Sequence, residues 1–165
     1  KATAPLYAVA DSPAALLALG EDELKTYINT IGLFHTKARN IVALCQKLID
    51  EYEGKVPETL EALQSLAGVG RKTANVWLNC VNGAPLVAVD THVFRVSNRL
   101  GLTHAANVLK CETQLMQRIP AAYLEYAHHW LILHGRYICK ARTPACGNCL
   151  VVDLCLYEGK KFITE

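Results

Sequence analysis

The chain has 165 residues, 52% hydrophobic and 19% charged, a globular balance at a length that suits one domain or two small ones. No stretch approaches the roughly 18 continuous apolar residues of a membrane span, and no basic start leads into an apolar core and a small-residue cleavage site, so no secretory signal is visible. The net charge of +2 hides an asymmetry: residues 1–70 carry six Lys/Arg against nine Asp/Glu, and residues 71–165 carry eleven against six.

The elements read as helices throughout, with no strand alternation. Lys1-Ala2-Thr3-Ala4 already lies in helical sequence, which suggests further helix ahead of it. Ser12-Pro13 is an N-cap followed by a proline at the first helical position. Gly20 ends that helix, and Asp22-Glu23 begin the next. Ile41, Leu44, Cys45, Leu48, Ile49 and Tyr52 recur at three- and four-residue spacing along one face of a long helix that Gly54 closes. Pro57 starts a short helix through Leu60, Leu63 and Leu66. A glycine turn at 68–70 leads into a helix from Lys72 to about Val81. After the break at Asn82-Gly83-Ala84-Pro85, a short apolar run, Val87-Ala88-Val89, precedes Asp90, the expected cap of a helix through Leu100. Two more helices are expected, at about 107–119 and 120–134. Trp130, Leu131 and Leu133 mark the last of these as buried, with His128, His129 and His134 as structural or phosphate-facing residues rather than metal ligands.

The glycine turn carries the first chemical signal. Gly68 and Gly70 bracket Val69, which can tuck inward as a pin, while the backbone turns sharply and exposes its amides. The start of the following helix is electropositive, so a phosphate is well placed there. Arg71 and Lys72 follow at once. A plain helical corner also uses glycine, but the flanking helices and the Arg-Lys pair favour phosphate. Lys72 sits where a cation is electrostatically misplaced, at a cost of roughly 0.3–1 kcal/mol. The same field disfavours the ammonium and raises the neutral, nucleophilic fraction. From the residues alone, a nucleophile and a lysine that merely reaches phosphate are equally served. Asp90 at a helix start is a common cap, and also a fixed anion able to stabilise a cationic sugar.

Seven cysteines, four of them between Cys139 and Cys155, make a poor disulfide framework and a good metal site. Cys139, Cys146, Cys149 and Cys155 follow C-x6-C-x2-C-x5-C. All-sulfur ligation suits zinc or an iron–sulfur cluster, and spacing alone leaves that choice open. The six-residue loop carries Lys140 and Arg142, which would present two cations to solvent or to DNA. Cys45, Cys80 and Cys111 read as small buried apolar residues. Between Arg71 and Arg142, nine basic residues face only Asp90, Glu112 and Glu125, the balance a polyanion partner requires.

Taken together, the segment 68–75 (GVGRKTAN), the segment 89–96 (VDTHVFRV), the segment 128–137 (HHWLILHGRY) and the cysteine pattern resemble the endonuclease III family, in family order and spacing. The resemblance covers essentially the whole chain. It implies an all-α fold of two helical lobes around a DNA-binding cleft. One is a helical-barrel lobe over 1–84, incomplete at its N-terminus, with a helix–hairpin–helix at about 58–81. The other spans 85–165 and carries the cluster loop at 139–155. It further implies a bifunctional base-excision repair enzyme that flips damaged, oxidised pyrimidine nucleotides out of duplex DNA. The lysine matching Lys72 would attack the sugar C1′ to form a Schiff base, with strand cleavage by β-elimination. The aspartate matching Asp90 would assist base departure.

Gly68, Val69, Gly70, Arg71 and Thr73 would hold DNA, as would Lys140 and Arg142, and the four cysteines would hold a [4Fe–4S] cluster. The resemblance also implies damaged double-stranded DNA as partner, a monomer, no membrane, and a cytoplasmic, nucleoid-associated location. The adenine glycosylases of the same superfamily share the hairpin, the aspartate and the cysteine spacing but lack the lysine, so Lys72 decides against them. Two positions depart from the family pattern: Ala67 stands where proline is usual, and Trp77 where a smaller aliphatic is usual. Two readings from other classes stand beside this one, a non-catalytic DNA-binding module and a zinc-stabilised helical scaffold.

Overall fold

A computed structural model describes residues 3–162, and among these every regular element is helical. The chain divides into two compact units, Lys1–Ala74 and Asn75–Glu165. Among the described residues no helix is long and apolar enough to cross a membrane.

The first unit holds α1 (Ala4–Val9), α2 (Pro13–Ile28), α3 (Phe34–Tyr52) and α4 (Leu60–Gln64). Ser12 caps α2 through its hydroxyl oxygen, which accepts from the Ala15 amide at 3.3 Å. The break expected at Gly20 is present as a kink: that residue has φ 80° and ψ 166°, and α2 resumes beyond it. Leu6, Ala10, Leu24, Ile28 and Ala38 form the core of this unit. On α3 the inward residues Ala38, Cys45 and Leu48 recur at helical spacing. Burial pushes the Cys45 thiol up, which keeps it protonated and inert. The helix ends with Glu53 in the left-handed region and the Gly54 amide donating to the Leu48 carbonyl at 2.8 Å. The short helix starts later than Pro57 suggests. Thr59 takes the cap, its hydroxyl accepting from the Ala62 amide at 3.3 Å, because a hydroxyl satisfies an open amide and a proline cannot.

The helix α5 (Arg71–Asn82) crosses from one unit to the other, and the second unit continues with α6 (Thr91–Leu100), α7 (Val108–Arg118) and α8 (Ala121–Tyr137). Asn107 caps α7 by accepting from the Lys110 amide at 2.9 Å. Val87, Val89, Val93, Val96, Leu115 and Leu131 lie in the core. The apolar run at 87–89 is wholly inside, and His128, 4% exposed, donates from Nδ1 to the Ala88 carbonyl at 2.7 Å. His128 is therefore a structural histidine. A side chain at Gly135 would meet His92 Cβ at 3.0 Å and Val96 Cγ2 at 3.1 Å, so the glycine lets α8 lie directly against α6. Arg95 fastens the same junction, Nη2 donating to the Gly135 carbonyl at 2.9 Å and Nε to the Cys139 carbonyl at 3.1 Å.

Two expectations about burial are corrected here. Trp130 and Leu133 are 53% and 47% exposed, because the inward face of α8 is Leu124, Ala127, His128, Leu131 and Gly135. The residues between them fall on the opposite face, where Trp130 stacks on Tyr126 with ring centroids 5.7 Å apart. Cys80 is exposed, since α5 turns Ala74, Asn75, Leu78 and Asn79 inward; Cys111 is buried as expected.

Candidate functional site

The hairpin lies between α4 and α5. Leu66 is buried, and its carbonyl accepts from the Val69 amide at 3.1 Å, closing the turn. Gly68 has φ 77°, a conformation side chains disfavour, and a Cβ there would lie 2.9 Å from Asn40 Nδ2 and 3.1 Å from Asn40 Cβ. Backbone and neighbour both demand glycine. Val69 is half-buried, as a pin should be, while Gly70, Arg71, Lys72 and Thr73 are exposed. The Ala74 amide donates to the Gly70 carbonyl at 3.0 Å. The Lys72 and Thr73 amides thus lie in the first turn of α5, where the helix itself supplies no acceptor. An anion approaching this end meets exposed amides, the positive end of a helix and two cationic side chains.

Asp90 is the N-cap of α6, as its sequence position suggests. Its Oδ1 accepts from the His92 and Val93 amides, both at 2.8 Å. Because both bonds fall on one oxygen, Oδ2 is not engaged in the cap. The carboxylate is half-buried and held without rotational freedom, an anion of set direction.

The four clustered cysteines line one cavity, together with Leu100, His134, Ile138, Val152, Tyr157 and others. Two 3-10 turns, Cys146–Asn148 and Val152–Leu154, bring the chain back round it. Yet among the described residues no three His, Cys, Asp or Glu side chains converge closely enough to hold a single metal ion. Four cysteine sulfurs lining one apolar cavity form the all-sulfur donor set that an iron–sulfur cluster would take. The donor set fits an iron–sulfur cluster.

The sulfurs also have donors around them. Arg99 Nη1 lies 3.5 Å from Cys139 Sγ, the Lys161 amide 3.3 Å from Cys146 Sγ, and His134 Nε2 3.7 Å from Cys149 Sγ. Burial pushes the His134 imidazole below its ordinary value. Lys140 and Arg142 are exposed on the loop, whose backbone is held at the Arg142 carbonyl by Lys161 Nζ at 3.2 Å.

Reading the sequence brought out the cysteines but not Arg95, Arg99 or His134 around them. A signal existed: Arg95 and Arg99 are four apart on one face of the helix that Asp90 begins, and two arginines so placed can share one set of carbonyls or anions.

Comparison with known proteins agrees with this geometry. Residues 1–121 match the pattern of the HhH-GPD superfamily base excision DNA repair proteins, and residues 139–155 match the iron–sulfur binding domain of endonuclease III. The chain is 54% identical over 160 residues to endonuclease III of Haemophilus influenzae and, at the same identity and length, to that of Escherichia coli K12. Each alignment spans 97% of this chain and 76% of the relative. The solved structure of a trapped endonuclease III–DNA covalent intermediate superposes with a TM-score of 0.88 at 45% identity, covering 93% of this chain and 73% of that one. A thermostable thymine-DNA glycosylase, 24% identical with a TM-score of 0.85, shares the fold. With the hairpin, the capped aspartate and the cysteine cavity in place, the chain belongs to the endonuclease III family, DNA glycosylases and AP lyases of base excision repair that carry a [4Fe–4S] cluster.

Proposed function

We propose that this glycosylase and lyase removes oxidised pyrimidines from duplex DNA, with Lys72 as nucleophile and Asp90 as the carboxylate that assists base departure. The observation that carries the reading is Lys72 itself, an exposed amine in the first turn of a helix directly behind a glycine hairpin suited to phosphate. The relative trapped as a covalent DNA intermediate supports the same chemistry. Attack by the neutral amine on C1′ forms a C–N bond as the bond from C1′ to the base breaks, and the base leaves with a proton. Opening of the C1′–O4′ bond leaves a protonated imine. Loss of a C2′ proton then supplies the electron pair that expels the 3′-phosphate, cutting the strand.

Gly68, Val69, Gly70, Arg71 and Thr73 grip one stretch of DNA backbone, and Lys140 and Arg142 another, by contacts that do not depend on sequence. The functional lobes are taken as 1–84 and 85–165, divided at the Asn82–Pro85 break rather than inside α5. The enzyme acts as a monomer on damaged duplex DNA, in the cytoplasm and at the nucleoid.

Cys139, Cys146, Cys149 and Cys155 would be the ligands, and the cluster, when bound, supplies four iron–thiolate bonds that cross-link the C-terminal coil. Cys146→Ala should therefore lose iron and loosen that region, whereas Cys45→Ala should retain full iron, because Cys45 is buried in α3 of the other unit. Elemental analysis separates the two; equal loss from both would overturn the ligand set.

The substrate class is tested on three duplexes, carrying an oxidised pyrimidine, an oxidised purine or no lesion. The first should be cut by β-elimination, and the other two left essentially intact. Comparable cutting of the oxidised purine would overturn the pyrimidine assignment, and base release without strand cleavage would overturn the lyase half.

A further inference from the structure

The loop between Cys139 and Cys146 carries the second part of the proposed DNA grip, and Arg99 reaches across from α6 to hold it. Arg99, in the last turn of α6, donates from Nη1 to the Lys140 carbonyl and from Nη2 to the Ala141 carbonyl, both at 2.8 Å. The same Nη1 lies 3.5 Å from Cys139 Sγ. The guanidinium is stacked on the Tyr157 ring, 4.3 Å from its centroid. The Arg99 carbonyl lies 3.4 Å from Cys155 Sγ. The end of α6 is crowded onto the same coil: a Cβ at Gly101 would lie 2.8 Å from Leu156 Cγ. The arginine thus touches the first cysteine, the backbone of the next two residues and the ring two places beyond the last cysteine.

We infer that Arg99 is a positioning residue for DNA engagement: its planar fork locks the backbone at Lys140 and Ala141, so that Lys140 and Arg142 form a fixed cationic ledge, and it anchors that ledge to the Cys139 sulfur. A free six-residue loop would have to be ordered when DNA binds, and that lost freedom weakens binding. A loop already tied at two consecutive carbonyls meets phosphate without that cost. Lysine could replace the charge but not the fork, because an ammonium on a flexible stem does not span two carbonyls with fixed geometry. The hydrogen bond to the sulfur links the ledge to the cluster, since donors at ligand sulfurs alter the electronic character of the site. The inference rests on the reading of Lys140 and Arg142 as phosphate contacts.

The experiment compares iron-loaded wild type, Arg99→Gln, Arg99→Lys and Arg142→Ala. Trypsin cuts after Lys140 and Arg142, so the rate of cleavage in this loop reports its freedom. Arg99→Gln should be cut there about tenfold faster or more, with iron per chain unchanged and the visible circular dichroism of the cluster altered. Its binding to undamaged duplex should weaken several-fold while turnover at saturating DNA is kept. Arg99→Lys should move the dichroism back toward wild type yet leave the loop readily cut. Arg142→Ala should weaken duplex binding and lower its salt dependence by about one counterion.

Wild-type cleavage rate and dichroism in Arg99→Gln would overturn the inference. A freed loop in Arg99→Gln, with duplex binding undiminished in both Arg99→Gln and Arg142→Ala, would keep the clamp and overturn the phosphate reading of the loop. Should Arg99→Gln lose its iron, Arg99→Lys decides: a loop as protected as wild type would overturn the role of the fork.

Discussion

Lys72→Gln should abolish the borohydride-stable complex with abasic-site DNA, lowering its yield by roughly 10³-fold or more. Borohydride reduces the protonated imine to a secondary amine, so the trapped species exists only if an enzyme nitrogen has already bonded to C1′. Glutamine keeps similar length and helix compatibility, and the side chain it replaces is exposed, so helix content and iron should be those of wild type. Duplex binding should persist, because the hairpin turn depends on Gly68 and the Val69–Leu66 hydrogen bond rather than on this side chain. The assay is a gel of DNA-linked protein beside a binding isotherm. A covalent complex of undiminished yield in Lys72→Gln would move the nucleophile elsewhere, to another lysine or the terminal amine. Loss of trapping together with loss of binding would mean the substitution damaged the grip, not the chemistry.

Asp90→Asn should slow excision of a damaged base by roughly 10²–10⁴-fold while leaving the protein as stable as wild type. Asparagine caps helices as well as aspartate does, and its amide oxygen can take over both bonds now made by Oδ1 to the His92 and Val93 amides. What it cannot supply is the negative charge or a proton acceptor. Asp90→Ala removes cap and charge together, so it should lose the same activity and, in addition, about 0.5–2 kcal/mol of stability. On a preformed abasic site, where no base has to leave, Asp90→Asn should retain much of its trapping. Thermal melting and single-turnover base release on the two variants separate the cap from the catalyst. An Asp90→Asn protein that excises normally would reduce Asp90 to a helix cap.

Much of this was open to reading because the decisive signals are local. Ser12 and Asp90 each cap the helix their position announces, since an N-cap needs only a short side chain and an amide two or three residues on. Gly68 and Gly70 mark a turn within three residues, and the four cysteines stand within seventeen. What escaped depends on residues far apart in the chain. Thr59 rather than Pro57 starts α4, a choice settled by a hydroxyl meeting an amide. On α8 the apolar residues run all the way round, so periodicity could not tell Leu131, which is inside, from Trp130 and Leu133, which are not. Arg95 and Arg99 meet carbonyls about forty residues away, and no local pattern specifies which ones.

Those long-range bonds also impose an order of assembly. Arg95 reaches Gly135 and Cys139 across 40 and 44 residues, and the fit of Gly135 against His92 and Val96 requires α6 and α8 to be docked before those bonds can form. Closing so long a stretch is slow compared with forming either helix. Docking also fixes Cys139 against α6, through the carbonyl that Arg95 holds. The helices of this unit should therefore form before α6 and α8 lock together.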